Sequence, residues 1–391
     1  VASYRTIKKL ETNFNQGLNI IIGDNGSGKT NFLKLLSSIM SFSKTKLAYT
    51  SDFKCEISFY EDIVLSIKNS PQAISKDTDI DAQGDDLNYY LVDKEKSIPI
   101  QRKKDLNEYF EKHNQHSYVL IIIGHGMPGR PMLFLTEPFN GAIKINLEDD
   151  IHEQLFSLVS ENLDRYFQVP FSNFLRFELV VATDKLEELK EKWEAVISGT
   201  CKYFTNIFKR CTQVSDVRVS PSFSIEWNST TNDLAVKNLF FEFYQNDRWN
   251  VFSELSDGTK RIISILMSVV EYDSFVLSKN EFKEVVSVKR HKIVIVEEPE
   301  LGINPHQLYK LMLVLKEEAK TKQIIITTHS PVTLDVLEKH ELESILVCTY
   351  NSKEGTLISP LTSKEREKAA KYIEEVGYLS TYWSHSELQR N

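Results

Sequence analysis

The apolar positions along this chain change period several times, and each change marks a predicted element. Leu18 to Ile22 is an apolar run suited to a strand buried on both faces. Beyond it, Phe32, Leu33, Leu35, Leu36, Ile39 and Met40 recur at helical spacing. Residues 52–68 alternate in a way that predicts two antiparallel strands around Tyr60-Glu61-Asp62, and the polar stretch NSPQAISKDTDIDAQGDD then reads as a loop. RKKDLNEYFEKHNQ predicts a helix, and YVLIII predicts a short buried strand ending in the loop GHGMPGRP. Residues 183–210 are helical in pattern, with Leu186, Leu189, Trp193 and Ile197 on one face. Strand patterns return at VRVSPSFSIEW and LAVKNLFFEFYQ.

The last third alternates helix and strand. A helix after Gly258 leads to the strand KIVIVEE, the helix PHQLYKLMLVLKEEAK, the strand QIIITT, the helix PVTLDVLEKH and the strand SILVCTY. That rhythm predicts an α/β fold with a largely parallel sheet. A length of 391 residues allows two to three domains. The net charge of −8 does not advertise a nucleic-acid binder, although the basic runs KEKSIPIQRKK and KEVVSVKRHK leave DNA as a possible partner. The four cysteines, Cys55, Cys201, Cys211 and Cys348, form no C-x-x-C pair, so neither a disulfide framework nor a zinc knuckle is expected. A reduced, cytoplasmic setting is expected. VASYRTIKKL has basic residues but no apolar segment of a signal peptide after them, and the longest apolar runs fall far short of the roughly 20 residues of a spanning helix.

Chemistry enters with Gly23-Asp24-Asn25-Gly26-Ser27-Gly28-Lys29-Thr30, a G-x-x-x-x-G-K-[ST] pattern between a predicted strand and a predicted helix. Its glycines let backbone N–H groups curl round a β-phosphate. Lys29 supplies a point charge to the β- and γ-phosphates, and Thr30 places a hydroxyl on Mg²⁺. The helix beyond aims its positive end at the anion. Nucleotide contacts are therefore assigned to Asn25, Gly26, Ser27, Gly28, Lys29, Thr30 and the adjoining Asn31. The apolar strand Ile293–Val296 delivers Glu297 and Glu298 at its C-terminal end, where α/β sheets bind ligands. Glu297 is expected to ligate Mg²⁺ or stand behind its ligands, and Glu298 to polarise the attacking water. His329 closes the strand QIIITT, where it is placed to contact the γ-phosphate and steady that water. Ser330 and Pro331 suit the cap and first position of the next helix. In LSDGTKR, Ser256 is an N-cap candidate, and by itself this is a routine helix start.

The order of these pieces (phosphate loop, LSDGT, IVIVEE, TTHSP) resembles the ATP-binding cassette (ABC) ATPases. LSDGT looks like their signature motif, IVIVEE like their Walker B strand, and His329 like their switch histidine. GDNGSGKTN, EEPELGINPHQ and TTHSP resemble the RecF, SMC and OLD branch, and within it the stand-alone ATPases of bacterial anti-phage defence, OLD-like and Septu-type. The resemblance implies an ABC-ATPase head, a mainly parallel sheet with an antiparallel part, interrupted by a mixed, largely helical insert. Residues 1–60 and 215–350 would form its two lobes, 61–214 the insert with a helical arm, and 351–391 a helical tail. It also implies ATP and Mg²⁺ as ligands, and two heads that sandwich ATP as a homodimer or higher homo-oligomer. Ser256 and Gly258 of one copy would then touch the γ-phosphate held by Lys29 of the other.

Two departures stand out. Glu297 occupies the place where the family usually has Asp. None of Gln72, Gln83 and Gln101 is singled out as the Q-loop glutamine, and Arg130, at the end of GHGMPGR, is either a functional arginine or a solvated surface residue. OLD nucleases carry a long TOPRIM domain after the histidine. Glu341 and Glu343 do not form its acidic cluster, so a nuclease in cis is not expected and any effector should be a separate polypeptide. A RecF- or SMC-like DNA-repair ATPase is the alternative reading.

Overall fold

The computed structural model describes residues 2–40, 54–59, 63–69, 87–93, 96–101, 103–112, 118–123, 143–146, 186–228, 233–237, 241–269 and 291–385. The polar stretch around Gln72 and Gln83 and the loop that ends in Arg130 lie outside them. The chain divides into two compact units. The first comprises Val1–Ile122, Val286–Glu298 and Leu315–Asn391; the second comprises Ile123–Val285 and Pro299–Val314.

In the first unit, the short strands β1 (Ala2–Tyr4) and β2 (Ile7–Lys9) precede β3 (Leu18–Ile22) and the helix α1 (Lys29–Met40). Then come β4 (Lys54–Phe59), β5 (Ile63–Asn69), β6 (Leu87–Asp93), β7 (Lys96–Ile100), α2 (Lys103–Lys112) and β8 (Tyr118–Ile123). In the second unit lie β9 (Ile143–Asn146), α3 (Leu186–Cys211), β10 (Asp216–Val219), β11 (Ser224–Asn228), β12 (Asp233–Lys237), β13 (Phe241–Gln245), β14 (Arg248–Val251) and α4 (Asp257–Val269). The chain returns to the first unit with β15 (His291–Glu297), gives the second unit Pro299–Val314 with most of α5 (Pro305–Glu318), and ends in the first unit with β16 (Gln323–Thr328), β17 (Ile345–Asn351), β18 (Gly355–Pro360), α6 (Ser363–Glu375) and α7 (Leu379–His385).

The first unit is built on one sheet of order β7-β6-β5-β4-β1-β2-β18-β17-β3-β16-β15-β8. Strands β17, β3, β16 and β15 pair in parallel. From β17 outward through β18, β2, β1 and β4 to β7 every pairing is antiparallel. The parallel part thus lies toward the β8 end of the sheet, and the antiparallel part is a longer wing than the sequence suggests. All five residues of β3 are buried, as are Val294, Ile295 and Val296 of β15 and Ile324, Ile325 and Ile326 of β16. Two-sided burial explains why these strands read as near-continuous apolar runs. Each such side chain removed from water contributes about 1.5–3 kcal/mol. The polar exception is Asn19, which is buried but satisfied: its side chain donates to the carbonyls of Asn15 and Gly17 and accepts from the Asn15 amide, fixing the entry to β3.

The division drawn at residue 60 falls within this sheet, since β4 and β5 are adjacent antiparallel strands. The segment 351–391, expected as a helical tail, holds β18, which pairs with β17 and β2, before its helices α6 and α7. Thr362 caps α6 in a reciprocal capping box with Glu365.

In the second unit, α3 lies against the three-stranded sheet β10-β13-β14. Phe208 stacks on Phe204 with centroids 5.5 Å apart, and Phe204 meets Phe241 edge-on at 6.2 Å. A second small sheet has the order β11-β12-β9. Among the described residues no helix is long and apolar enough to cross a membrane.

Candidate functional site

The six residues Gly23–Gly28 connect β3 to α1. Gly26 and Gly28 have φ of 84° and 104°, in the region that side chains other than glycine's seldom enter. Ser27 N donates to Asp24 O at 3.2 Å, and Gly23 N donates to Thr328 O at 3.3 Å, tying the loop to the end of β16. Lys29 is buried, and its Nζ donates to the carbonyls of Gly23 (2.7 Å) and Asp24 (2.9 Å), so the loop is wound about its ammonium. Asn25 and Gly26 are exposed at the loop tip. The hydroxyl of Ser27 is buried without a hydrogen-bond partner. Asn31, expected to face the nucleotide, has its amide engaged elsewhere: it donates to Thr6 Oγ1 and accepts from Arg5.

Strand register brings the acidic residues to this loop. Glu297 pairs with Thr327 across β15 and β16, and Thr327 and Thr328 pair with Ile21 and Ile22 across β16 and β3. The C-terminal ends of three parallel strands therefore share one edge of the sheet, the usual place for a ligand in such folds. There Thr30 Oγ1 donates to Glu297 Oε1 at 2.7 Å. Glu298 follows with φ 45°, a left-handed conformation that is uncommon for a residue with a side chain, held by its amide donating to Thr327 O at 2.7 Å. Its carboxylate Oε1 lies 3.8 Å from His329 Nδ1, close enough for electrostatic contact but too long for a hydrogen bond.

One local expectation is corrected. Pro331 does open a helical turn, but Pro331–Val336 is a 3₁₀ helix and the Ser330 side chain makes no capping bond. Instead Thr328 Oγ1 accepts from Ser330 N at 2.9 Å, and Ser330 O accepts from Thr333 Oγ1 at 2.8 Å. The strand end spends its hydrogen-bonding groups on fixing the turn that carries His329.

Ser256 and Gly258 belong to the second unit. Ser256 caps α4 as its sequence suggests, its Oγ accepting from Thr259 N at 3.2 Å and lying 2.9 Å from Thr259 Oγ1. Gly258 faces Gly302 in the loop before α5: a Cβ on Gly258 would stand 2.3 Å from Gly302 O. Asn304 caps α5 through a bond from Gln307 N to Oδ1 at 2.9 Å, with Pro305 at the first helical position.

The loop fits a phosphate chain. It offers glycine-only backbone, a helix N-terminus, a buried ammonium and the unpartnered Ser27 hydroxyl. Among the described residues no group of three or more His, Cys, Asp or Glu is arranged to hold a metal ion. One hydroxyl and one carboxylate, Thr30 and Glu297, suit Mg²⁺ that arrives with a nucleotide, since that ion keeps waters and phosphate oxygens as its other ligands.

Comparison with known structures places the fold. An Smc head bound to the C-terminal winged-helix domain of ScpA matches 93% of this chain and 96% of its own, with 10% identity and a TM-score of 0.50. An Smc head domain with an extended coiled coil, bound to the C-terminal domain of ScpA and derived from Pyrococcus furiosus, matches 96% and 97%, with 14% identity and a TM-score of 0.51. These likenesses identify the fold as that of SMC-type ABC ATPase heads. The family model described as "AAA domain, putative AbiEii toxin, Type IV TA system" matches residues 18–335, from the first residue of β3 to beyond His329, and the chain belongs to that family.

Proposed function

We propose that this protein binds and hydrolyses ATP with Mg²⁺ and uses the cycle as the gate of a homo-oligomeric switch in bacterial anti-phage defence, holding or releasing a separate effector such as a toxin or nuclease. The observation that carries the ATPase reading is the Thr30–Glu297 hydrogen bond, which unites phosphate loop and acidic strand. The family's description as a toxin-type AAA domain supports the defence context.

In this reading Lys29, the loop amides and Ser27 bind the β- and γ-phosphates, and Thr30 and Glu297 hold Mg²⁺. The ion supplies electrostatic stabilisation of the transferred phosphoryl group. The Glu298 carboxylate accepts a proton from water as the water oxygen bonds to the γ-phosphorus and the bond to ADP breaks. His329, whose Nδ1 lies 3.8 Å from that carboxylate, contacts the γ-phosphate and steadies the water. Ser256 and the α4 N-terminus of a second copy bring positive dipole to the γ-phosphate, so hydrolysis removes the charge that holds two copies together.

The test is oligomeric state and phosphate release with Mg²⁺–ATP, for wild type and Glu298→Gln. ATP-dependent assembly that persists in the variant and decays by hydrolysis in wild type supports the switch. An assembly state indifferent to nucleotide in both would overturn it. The SMC-head fold keeps a DNA-binding ATPase as the second reading. ATP-dependent binding to duplex DNA that weakens steeply with salt would favour it.

A further inference from the structure

Both ends of the phosphate loop are packed against the β17–β18 hairpin, far away in sequence. A Cβ on Gly23 would stand 2.1 Å from Cys348 O, and a Cβ on Gly28 would stand 2.0 Å from Thr356 Oγ1. Cys348 Sγ also donates to Ser27 O at 3.5 Å. The loop can therefore lie where it does only because glycines face the hairpin at these two points.

Thr356 is fully buried and leads further. Its Oγ1 donates to Thr6 Oγ1 at 2.8 Å, and its amide donates to Thr6 O at 2.8 Å. Thr6 Oγ1 in turn accepts from Asn31 Nδ2 at 2.9 Å, and Asn31 lies in the first turn of α1. A closed circuit results: loop glycine, β18 threonine, β1–β2 turn, α1 asparagine, and back along α1 to the loop. Lys8 fastens the same hairpin from β2 by donating to the carbonyls of Ser352 and Lys353 at 2.7 and 3.1 Å.

We infer that Thr356 is a positioning residue for nucleotide binding: through its contact with Gly28 and its hydrogen bond to Thr6 it sets the curvature of the phosphate loop and the start of α1. A loop whose amides must converge on a phosphate tolerates little displacement. A merely structural threonine would affect folding, whereas this one governs affinity in the folded protein. The inference rests on the ATP-binding reading proposed above.

The experiment measures dissociation constants for a fluorescent ATP analogue, alongside nucleotide-free melting temperatures, in the full chain. Thr356→Val keeps the volume and removes the hydroxyl; Thr356→Ser keeps the hydroxyl; Thr6→Val removes the other partner. Thr356→Val is expected to weaken binding roughly three- to tenfold, the worth of one buried hydrogen bond. Thr356→Ser should stay within about twofold of wild type, and Thr6→Val combined with Thr356→Val should cost no more than Thr6→Val alone, which already removes the shared bond together with the acceptor of Asn31. Thr356→Val with wild-type affinity, or affinity lost only as melting temperature falls and equally in Thr356→Ser, would overturn the inference. Lys29→Ala is the control. Wild-type protein that binds no better than Lys29→Ala would sink the ATP-binding reading and this inference with it, whereas a difference between those two with Thr356→Val unaffected sinks the inference alone.

Discussion

The Thr30 hydroxyl donates to the Glu297 carboxylate at 2.7 Å, joining residues that stand 267 positions apart in the chain. The side chain of Glu297, longer than the Asp that the resemblance led one to expect, reaches the first turn of α1. Glu297→Gln keeps an oxygen that can accept from Thr30 but removes the charge. ATP binding should survive, and Mg²⁺-dependent phosphate release should fall about a hundredfold or more. Wild-type turnover at every Mg²⁺ concentration would remove Glu297 from the metal site.

Glu298 is the proposed base. Glu298→Gln should slow hydrolysis by about 10²–10⁴ while nucleotide affinity is kept, and it should accumulate the ATP-bound form. Quench-flow measurement of bound ATP against ADP reads this directly. Normal turnover in the variant would assign the proton transfer elsewhere.

The same residue carries backbone strain, with φ 45° next to Pro299. A left-handed conformation at a non-glycine residue costs about 1–3 kcal/mol. Glu298→Gly should therefore stabilise the protein by about 1 kcal/mol in urea unfolding, although it abolishes hydrolysis. Equal or lower stability would show that side-chain contacts of Glu298 outweigh the strain.

Ser256→Ala should remove the cap of α4 at a stability cost of about 1 kcal/mol. If Ser256 also acts on ATP held by another copy, hydrolysis should fall well beyond that loss while ATP binding by the isolated monomer is retained. Mixing Ser256→Ala with Lys29→Ala chains should then restore activity at the one site that combines intact parts. Gly258 is the poorer probe, because Gly258→Ala would collide with Gly302 in its own chain.

All four cysteines are free and buried. Burial pushes the Cys55 and Cys211 thiols up to about 11 and the Cys201 thiol up to about 12, and it raises that of Cys348 as well. Their reactive thiolate forms are accordingly scarce at pH 8. An Ellman titration of the native protein should detect almost no thiol within minutes, and four after denaturation. Rapid native reaction would show that the elements over these residues open readily.

Much of the fold was legible because its signals are local. The apolar runs of β3, β15 and β16 declare buried parallel strands, since burial on both faces leaves no polar alternation. Leu308, Leu311, Met312 and Leu315 declare one face of α5. The glycine pattern before Lys29 declares a phosphate loop because its backbone conformations exclude other side chains. The strands β1, β2 and β18 escaped notice, because each is short or unremarkable in composition and owes its place to neighbours distant in the chain.

The sequence by itself determined the chemistry available: a glycine-rich loop ending in Lys29 and Thr30, two carboxylates at a strand end, a histidine at the next strand end and a helix capped by Ser256. Tertiary structure decided which of these meet. Register across three parallel strands set Glu297 against Thr30, the turn after β15 brought Glu298 within 3.8 Å of His329, and Thr356 came to stand on Gly28. The last contact had no sequence signal, because a threonine in a β-strand is ordinary until the fold puts a glycine in front of it.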